Sequence, residues 1–116
     1  MLKTAGDLIR EAQQHIECVD AQTAKQMYDD NPGAVILDVR EADSAAESKL
    51  KDSINISRGL VEMKLPKECP DPDTLILAHC GGGGRASLTA QSLKQMGYTR
   101  VYAITAPYDD IKKIFD

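Results

Sequence analysis

The sequence predicts an α/β domain with a mainly parallel five-stranded sheet and helices on both of its faces. Three observations carry that prediction. Short aliphatic, β-branched runs alternate along the chain with stretches of helical spacing, the order that right-handed crossovers turn into a parallel sheet. The clearest runs, residues 34–39 and 74–79, are too continuous for half-exposed strands and too short for buried helices. The chain has 116 residues, the size of one domain, with 42% hydrophobic and 28% charged side chains and neither a repeat nor a linker.

Taken in order, Leu2, Ala5, Leu8, Ile9, Ala12 and Ile16 recur at helical spacing, so residues 1–17 are expected to carry an amphipathic helix packed on the domain. A short strand over residues 16–19 follows, and Asp20 is the expected N-cap of a helix over residues 21–28 that Asn31-Pro32-Gly33 stops. After the strand at 34–39, Glu41 to Leu50 reads as helix and Ile54-Asn55-Ile56 as strand. Arg58 to Leu65 reads as a short helix closed by Pro66. Turn residues at 69–73 lead into the strand at 74–79, with Cys80 at its end. A helix from Arg85 or Ala86 to Met96, with Leu88 and Leu93 inward and Gly97 as its C-cap, precedes a last strand at 100–104. Pro107 opens a final helix over residues 108–115.

Charge and composition exclude several classes of function. Fourteen basic against eighteen acidic residues leave a net charge of −4, and four Tyr, one Phe and no Trp offer few stacking platforms, so nucleic acid is not an expected partner. No apolar run approaches the ~20 residues of a membrane helix, and the first residues lack a signal-like apolar stretch, which sets the expectation of a cytoplasmic protein without membrane contact. Three cysteines, an odd number, speak against a disulfide scaffold; Cys18 and Cys69 read as structural or surface thiols. His15 with Cys18, and His79 with Cys80, are isolated pairs without a second pair at zinc spacing, so no metal is expected. No cofactor is expected either, because the glycine run lacks the Gly-Lys-Ser/Thr ending of a nucleotide loop. His79 precedes Cys80 on a buried strand, where neighbours point to opposite faces, and reads as a core histidine with satisfied hydrogen bonds.

The chemistry concentrates in His79-Cys80-Gly81-Gly82-Gly83-Gly84-Arg85-Ala86-Ser87. Ligands of parallel sheets sit at the carboxyl ends of the strands, where Cys80 falls. Four successive glycines let backbone amides turn inward around one point, as an anion-binding nest requires. Those dipoles, the helix N-terminus behind them and Arg85 should together stabilise Cys80 as a thiolate, which is the nucleophile.

At these residues the sequence resembles the rhodanese family, single-domain sulfurtransferases, over roughly residues 19–115. Asp38-Val39-Arg40-Glu41, Ile54-Asn55-Ile56, the Cys80-to-Arg85 loop, and Gly97-Tyr98 with Val101-Tyr102 match family motifs in order. The resemblance implies the rhodanese fold and a persulfide mechanism. By that reading Cys80 accepts the outer sulfur of thiosulfate or polysulfide and passes it to cyanide or to the thiol of another protein. The amides of Gly81, Gly82, Gly83, Gly84 and Arg85 would stabilise thiolate, persulfide and donor, and the Arg85 side chain would orient a sulfonate. Arg58 would be a second anion contact at the pocket mouth. Asp38 and Arg40 would form a structural ion pair beneath the loop. The chain departs from the family at Ser48-Lys49-Leu50-Lys51-Asp52-Ser53, which replaces Gly-His-Ile-Pro-Gly-Ala, and at Ile104-Thr105-Ala106-Pro107, which replaces Leu-x-Gly-Gly.

Competing readings of the same loop are a persulfide carrier or sensor with little thiosulfate-to-cyanide turnover, a phosphatase, and a non-catalytic interaction module. Related phosphatases place five residues between cysteine and arginine, and this loop has four, Gly81 to Gly84, a tighter cradle better suited to sulfur. Neither the physiological donor and acceptor nor the oligomeric state follows from the sequence.

Overall fold

The computed structural model describes residues 1–116. Helices and strands alternate as α1 (Ala5–Gln13), β1 (Glu17–Val19), α2 (Ala21–Asp30), β2 (Val35–Asp38), α3 (Ala42–Glu47), β3 (Ser53–Asn55), α4 (Val61–Glu68), β4 (Leu75–His79), α5 (Gly84–Met96), β5 (Arg100–Ile104) and α6 (Tyr108–Phe115). The five strands form one wholly parallel sheet in the order β1-β5-β4-β2-β3. β4 is central, buried at every position, and delivers Cys80 to the middle of the sheet's carboxyl edge. No helix is long and apolar enough to cross a membrane.

Strand alternation divides the core in two. Leu37, Val39, Ile76, Ala78 and Cys80 face α4 and α5, where they meet Val61, Leu65, Ala86, Ala90 and Leu93. Ile36, Leu75, Leu77 and Ile104 face α2 and α6, where they meet Ala21, Ala24 and Ile111. With so few aromatics, both layers are filled by aliphatic side chains, and the small residues Ala86 and Ala90 let α5 lie close to the sheet.

Local signals set most boundaries. Asp20 accepts the Thr23 amide at 2.7 Å and starts α2, while Gly97 at φ 115° ends α5. α1 is shorter than its apolar spacing suggests, because Thr4 and Asp7 close a reciprocal capping box that begins the helix at Ala5 and leaves Leu2 exposed. Glu41 to Leu50 is helical only to Glu47, where Ser48 turns extended. Pro66 does not close its helix: residues 58–60 form a 3₁₀ turn and α4 continues through Pro66 to Glu68, because another turn buries Leu65 and Cys69 and leaves the Cys69 amide bonded to Leu65 O. Leu88, expected inward, is half-buried; Ala86, Ser87, Thr89, Ala90 and Leu93 form the inner face of α5.

Beneath the carboxyl edge, on the α6 side, lies a buried polar cluster. Asp38 ends β2 with no exposed surface, and Arg40 grips its carboxylate through Nε at 3.0 Å and Nη2 at 2.8 Å. Nη2 also donates to Ser48 O, and the Asn55 amide group donates to the carbonyls of Asp38 and Arg40. Tyr108 covers the guanidinium at 3.8 Å, stacks on His79 at 5.9 Å, and shares a hydrogen bond with Ser48 through its hydroxyl. Its backbone N–H donates to Gly81 O, so the cluster reaches the loop after Cys80 through α6. The bidentate bond to Asp38 holds the Arg40 guanidinium more firmly protonated than a free arginine, against the opposing effect of burial. A buried carboxylate stripped of its partner is strongly destabilising. Arg40→Met should therefore cost about 3–5 kcal/mol in urea unfolding, and Asp38→Leu added to it should recover part of that loss.

Candidate active site

Cys80 is 2% exposed and sits where β4 gives way to the glycine loop. Its Sγ accepts the Gly83 N–H at 3.0 Å, closing a tight turn around the sulfur. Of the amides from Gly81 to Arg85, only that of Gly83 is hydrogen-bonded within the protein, which leaves the amides of Gly81, Gly82, Gly84 and Arg85 as free donors. The thirteen-residue helix α5 starts at Gly84, so the positive end of its dipole lies at the same place. This arrangement can hold a sulfur anion at Cys80 and a second anion beside it.

The four glycines have different reasons to be there. Gly83 stands at φ 103°, and a Cβ on it would come within 3.0 Å of Thr105 Cα. At Gly84 a Cβ would come within 2.8 Å of Ile9 Cδ1 on α1. Gly81 and Gly82 have neither constraint: a Cβ at Gly81 would touch only Arg85 Nη2 at 3.7 Å, and at Gly82 it would meet nothing within 4 Å. Backbone geometry alone therefore demands glycine at Gly83, while the other pair keeps the mouth of the loop free of side chains.

Arg85 is exposed, its guanidinium rests beside Gly81, and it takes part in no ion pair. It is the arginine of this region whose charge is uncommitted. Arg58, expected at the pocket mouth as an anion contact, is placed differently: it donates to Glu62 Oε2 at 2.8 Å and to Ser92 Oγ at 3.1 Å, two turns along α5. Glu62 lies four residues after Arg58 and neutralises it. Asp38 and Arg40 are joined in an ion pair but lie on the α6 face, the side of the sheet opposite Cys80.

Sequence reasoning missed two contributors, Tyr108 and Ser87, and marked a third, Thr105, only as part of a departure from the family pattern. Tyr108 ties Gly81 to the Arg40 cluster, Thr105 walls Gly83, and Ser87 anchors the loop by donating to Gly83 O through both its hydroxyl (2.7 Å) and its amide (3.0 Å). For Tyr108 and Ser87 the only available signal was a tyrosine right after Pro107 at a helix start and a serine one turn into a helix. His79 is fully buried as expected, but neither ring nitrogen finds a partner, which corrects the expectation of a satisfied histidine. It sits against the Tyr108 ring, which has no acceptor to offer its nitrogens. Cys69 is buried, Cys18 exposed, and all three cysteines are free thiols. No three His, Cys, Asp or Glu side chains gather as a metal site.

An open parallel sheet with a cysteine at the carboxyl end of its central strand, wrapped by a glycine loop and backed by a helix N-terminus, defines an α/β domain of the cysteine-loop class. The family model of the rhodanese-like domain matches residues 20–113, and the chain belongs to that family. Among solved structures, a Rhodopseudomonas palustris protein of unknown function, described as a possible tyrosine phosphatase, is 22% identical with a TM-score of 0.82, covering 97% of this chain and 92% of its own. The polysulfide-sulfur transferase homodimer of Wolinella succinogenes is 24% identical with a TM-score of 0.74, over 88% of this chain and 77% of its own. A rhodanese with anions from Escherichia coli is 24% identical with a TM-score of 0.62, over 66% and 89%. At these identities the likeness is one of fold. No curated protein matches the sequence.

Gly83→Ala should cost at least the ~1–2 kcal/mol of a left-handed residue with a side chain, whereas Gly82→Ala should change stability by less than about 1 kcal/mol, both read by thermal unfolding. Burial pushes the His79 imidazole below its ordinary value of 6.5, with Arg40 acting in the same direction and Asp38 against it. The unfolded chain thus takes up this proton before the folded one does, and the stability contributed by neutral His79 is complete above pH 6.5 and declines as the pH falls below it. The urea midpoint should drop between pH 7.5 and 5.5, and His79→Phe should flatten that decline; an equal slope in both proteins would reject it.

Proposed function

We propose that this domain is a sulfurtransferase that carries sulfane sulfur as a persulfide on Cys80. The observation that carries the reading is the buried Cys80 thiol, its Sγ held by the Gly83 amide at the N-terminus of α5, with free loop amides and an uncommitted Arg85 around it. In the first half-reaction the Cys80 thiolate attacks the outer sulfur of thiosulfate, the sulfur–sulfur bond of the donor breaks, and sulfite leaves with the bonding pair. With polysulfide the leaving group is a polysulfide one sulfur shorter. In the second, cyanide or an acceptor thiolate attacks the terminal sulfur of the persulfide and regenerates the Cys80 thiolate; cyanide departs as thiocyanate. Charge is conserved at each step and no cofactor takes part.

Oriented amides are suited to this exchange because the Cys80 group is a sulfur anion both as thiolate and as persulfide. Arg85 supplies the one mobile cation, matched to the sulfonate of thiosulfate and less needed for a polysulfide. The four-residue spacing between Cys80 and Arg85 weighs against the phosphatase reading. Three free thiols fit a reducing compartment such as the cytoplasm.

Intact-protein mass spectrometry tests the reading. Thiosulfate or polysulfide should add one sulfur to the wild type and none to Cys80→Ser, and cyanide should remove it. Arg85→Ala should slow loading from thiosulfate by about 10- to 100-fold, the loss expected for one hydrogen bond to a charged group, and affect polysulfide less. Loading from polysulfide alone would assign a carrier or sensor. Absence of loading from either donor, with hydrolysis of an aryl phosphate, would replace the proposal with the phosphatase.

A further inference from the structure

α1 lies outside residues 20–113, the span that matches the family, yet it packs along α5 next to the cysteine loop. Ile9 of α1 closes on Gly84, and Gln13 Nε2 donates to Ser87 Oγ at 3.1 Å. Ser87 is fully buried one turn into α5, and its hydroxyl passes its single proton to Gly83 O at 2.7 Å. A lone pair left on that oxygen receives the Gln13 amide. The buried hydroxyl thus accepts one bond from α1 and gives its one donated bond to the loop.

The peptide between Gly83 and Gly84 is planar and trans, so its N–H is directed opposite to its C=O. Holding Gly83 O toward Ser87 therefore turns the Gly84 N–H away from Ser87, leaving it the free donor noted above. Without the Ser87 hydroxyl, the Ser87 amide would be the one hydrogen bond left on Gly83 O, and the glycines on both sides give this peptide more freedom to tilt than side chains would.

We propose that Gln13 and Ser87 are positioning residues for Cys80, with α1 orienting the Ser87 hydroxyl, Ser87 holding the Gly83 carbonyl, and that peptide fixing the loop amides around the sulfur. The proposal rests on Cys80 as the reactive thiol, and it makes α1 part of the active-site machinery rather than a cover for the core.

Alkylation of Cys80 by iodoacetamide, followed at peptide resolution to separate Cys18 and Cys69, tests it without any sulfur donor. At pH 7, Ser87→Ala should react about 3- to 10-fold more slowly than wild type, the scale of one hydrogen bond lost from thiolate support, and at pH 10, where thiols are ionised regardless, it should react at the wild-type rate. Gln13→Met, on the exposed side of α1, should slow the pH 7 reaction by a smaller factor and add nothing in the Ser87→Ala background. Wild-type rates at pH 7 in Gln13→Met, or an equal loss at both pH values in Ser87→Ala, would overturn the proposal. Failure of wild type to load sulfur would sink the sulfurtransferase reading while this comparison still decided the roles of Gln13 and Ser87.

Discussion

The left-handed turn at Gly83 is the constraint on which the site depends. Its φ of 103° bends the chain back so that its own N–H meets Cys80 Sγ and its carbonyl meets Ser87. Thr105 presses against it from the segment after β5, and α5 begins directly behind it. A side chain there would collide with backbone, not with a movable terminus, so the turn leaves little room for relaxation. From this one residue follow the burial of the thiol, the alignment of the helix dipole and the release of the neighbouring amides as donors.

Around that turn the molecule is organised as two faces of one strand. Cys80 and the residues before it at every second position join the α4–α5 layer, while His79 joins Tyr108, Asp38 and Arg40 on the α6 layer. The chemistry therefore sits on one side of the sheet and its rigid polar footing on the other, with the Tyr108 N–H bond to Gly81 as the bridge between them. His79 is the cost of that arrangement: an imidazole enclosed without a partner, tolerated because its ring packs flat on Tyr108.

Much of this was legible in the sequence wherever the signal is local. Aliphatic runs bounded by turns revealed β2 and β4, and a capping aspartate and a C-terminal glycine bounded α2 and α5. A cysteine at a strand end followed by glycines marked the loop. What escaped the sequence depends on segments far apart meeting in space. Tyr108 joins residues 40, 48, 79 and 81, and Ser87 joins residues 13 and 83. Arg58 went astray for the same reason, because its partner Ser92 comes from another helix. Pro66 shows the opposite failure, a strong local stop overridden by the burial of Leu65 and Cys69.

The sheet's borders bear on how the domain associates with others. Both edge strands, β1 and β3, are only three residues long. Short borders offer few unpaired amides and carbonyls, so they are poor templates for adding a strand from another chain. The domain is thereby protected from growing into a continuous intermolecular sheet even though its central strands are almost uninterrupted aliphatic runs. Encounters with other proteins fall instead to loops and helix surfaces, which can meet and part without rearranging the backbone ladder.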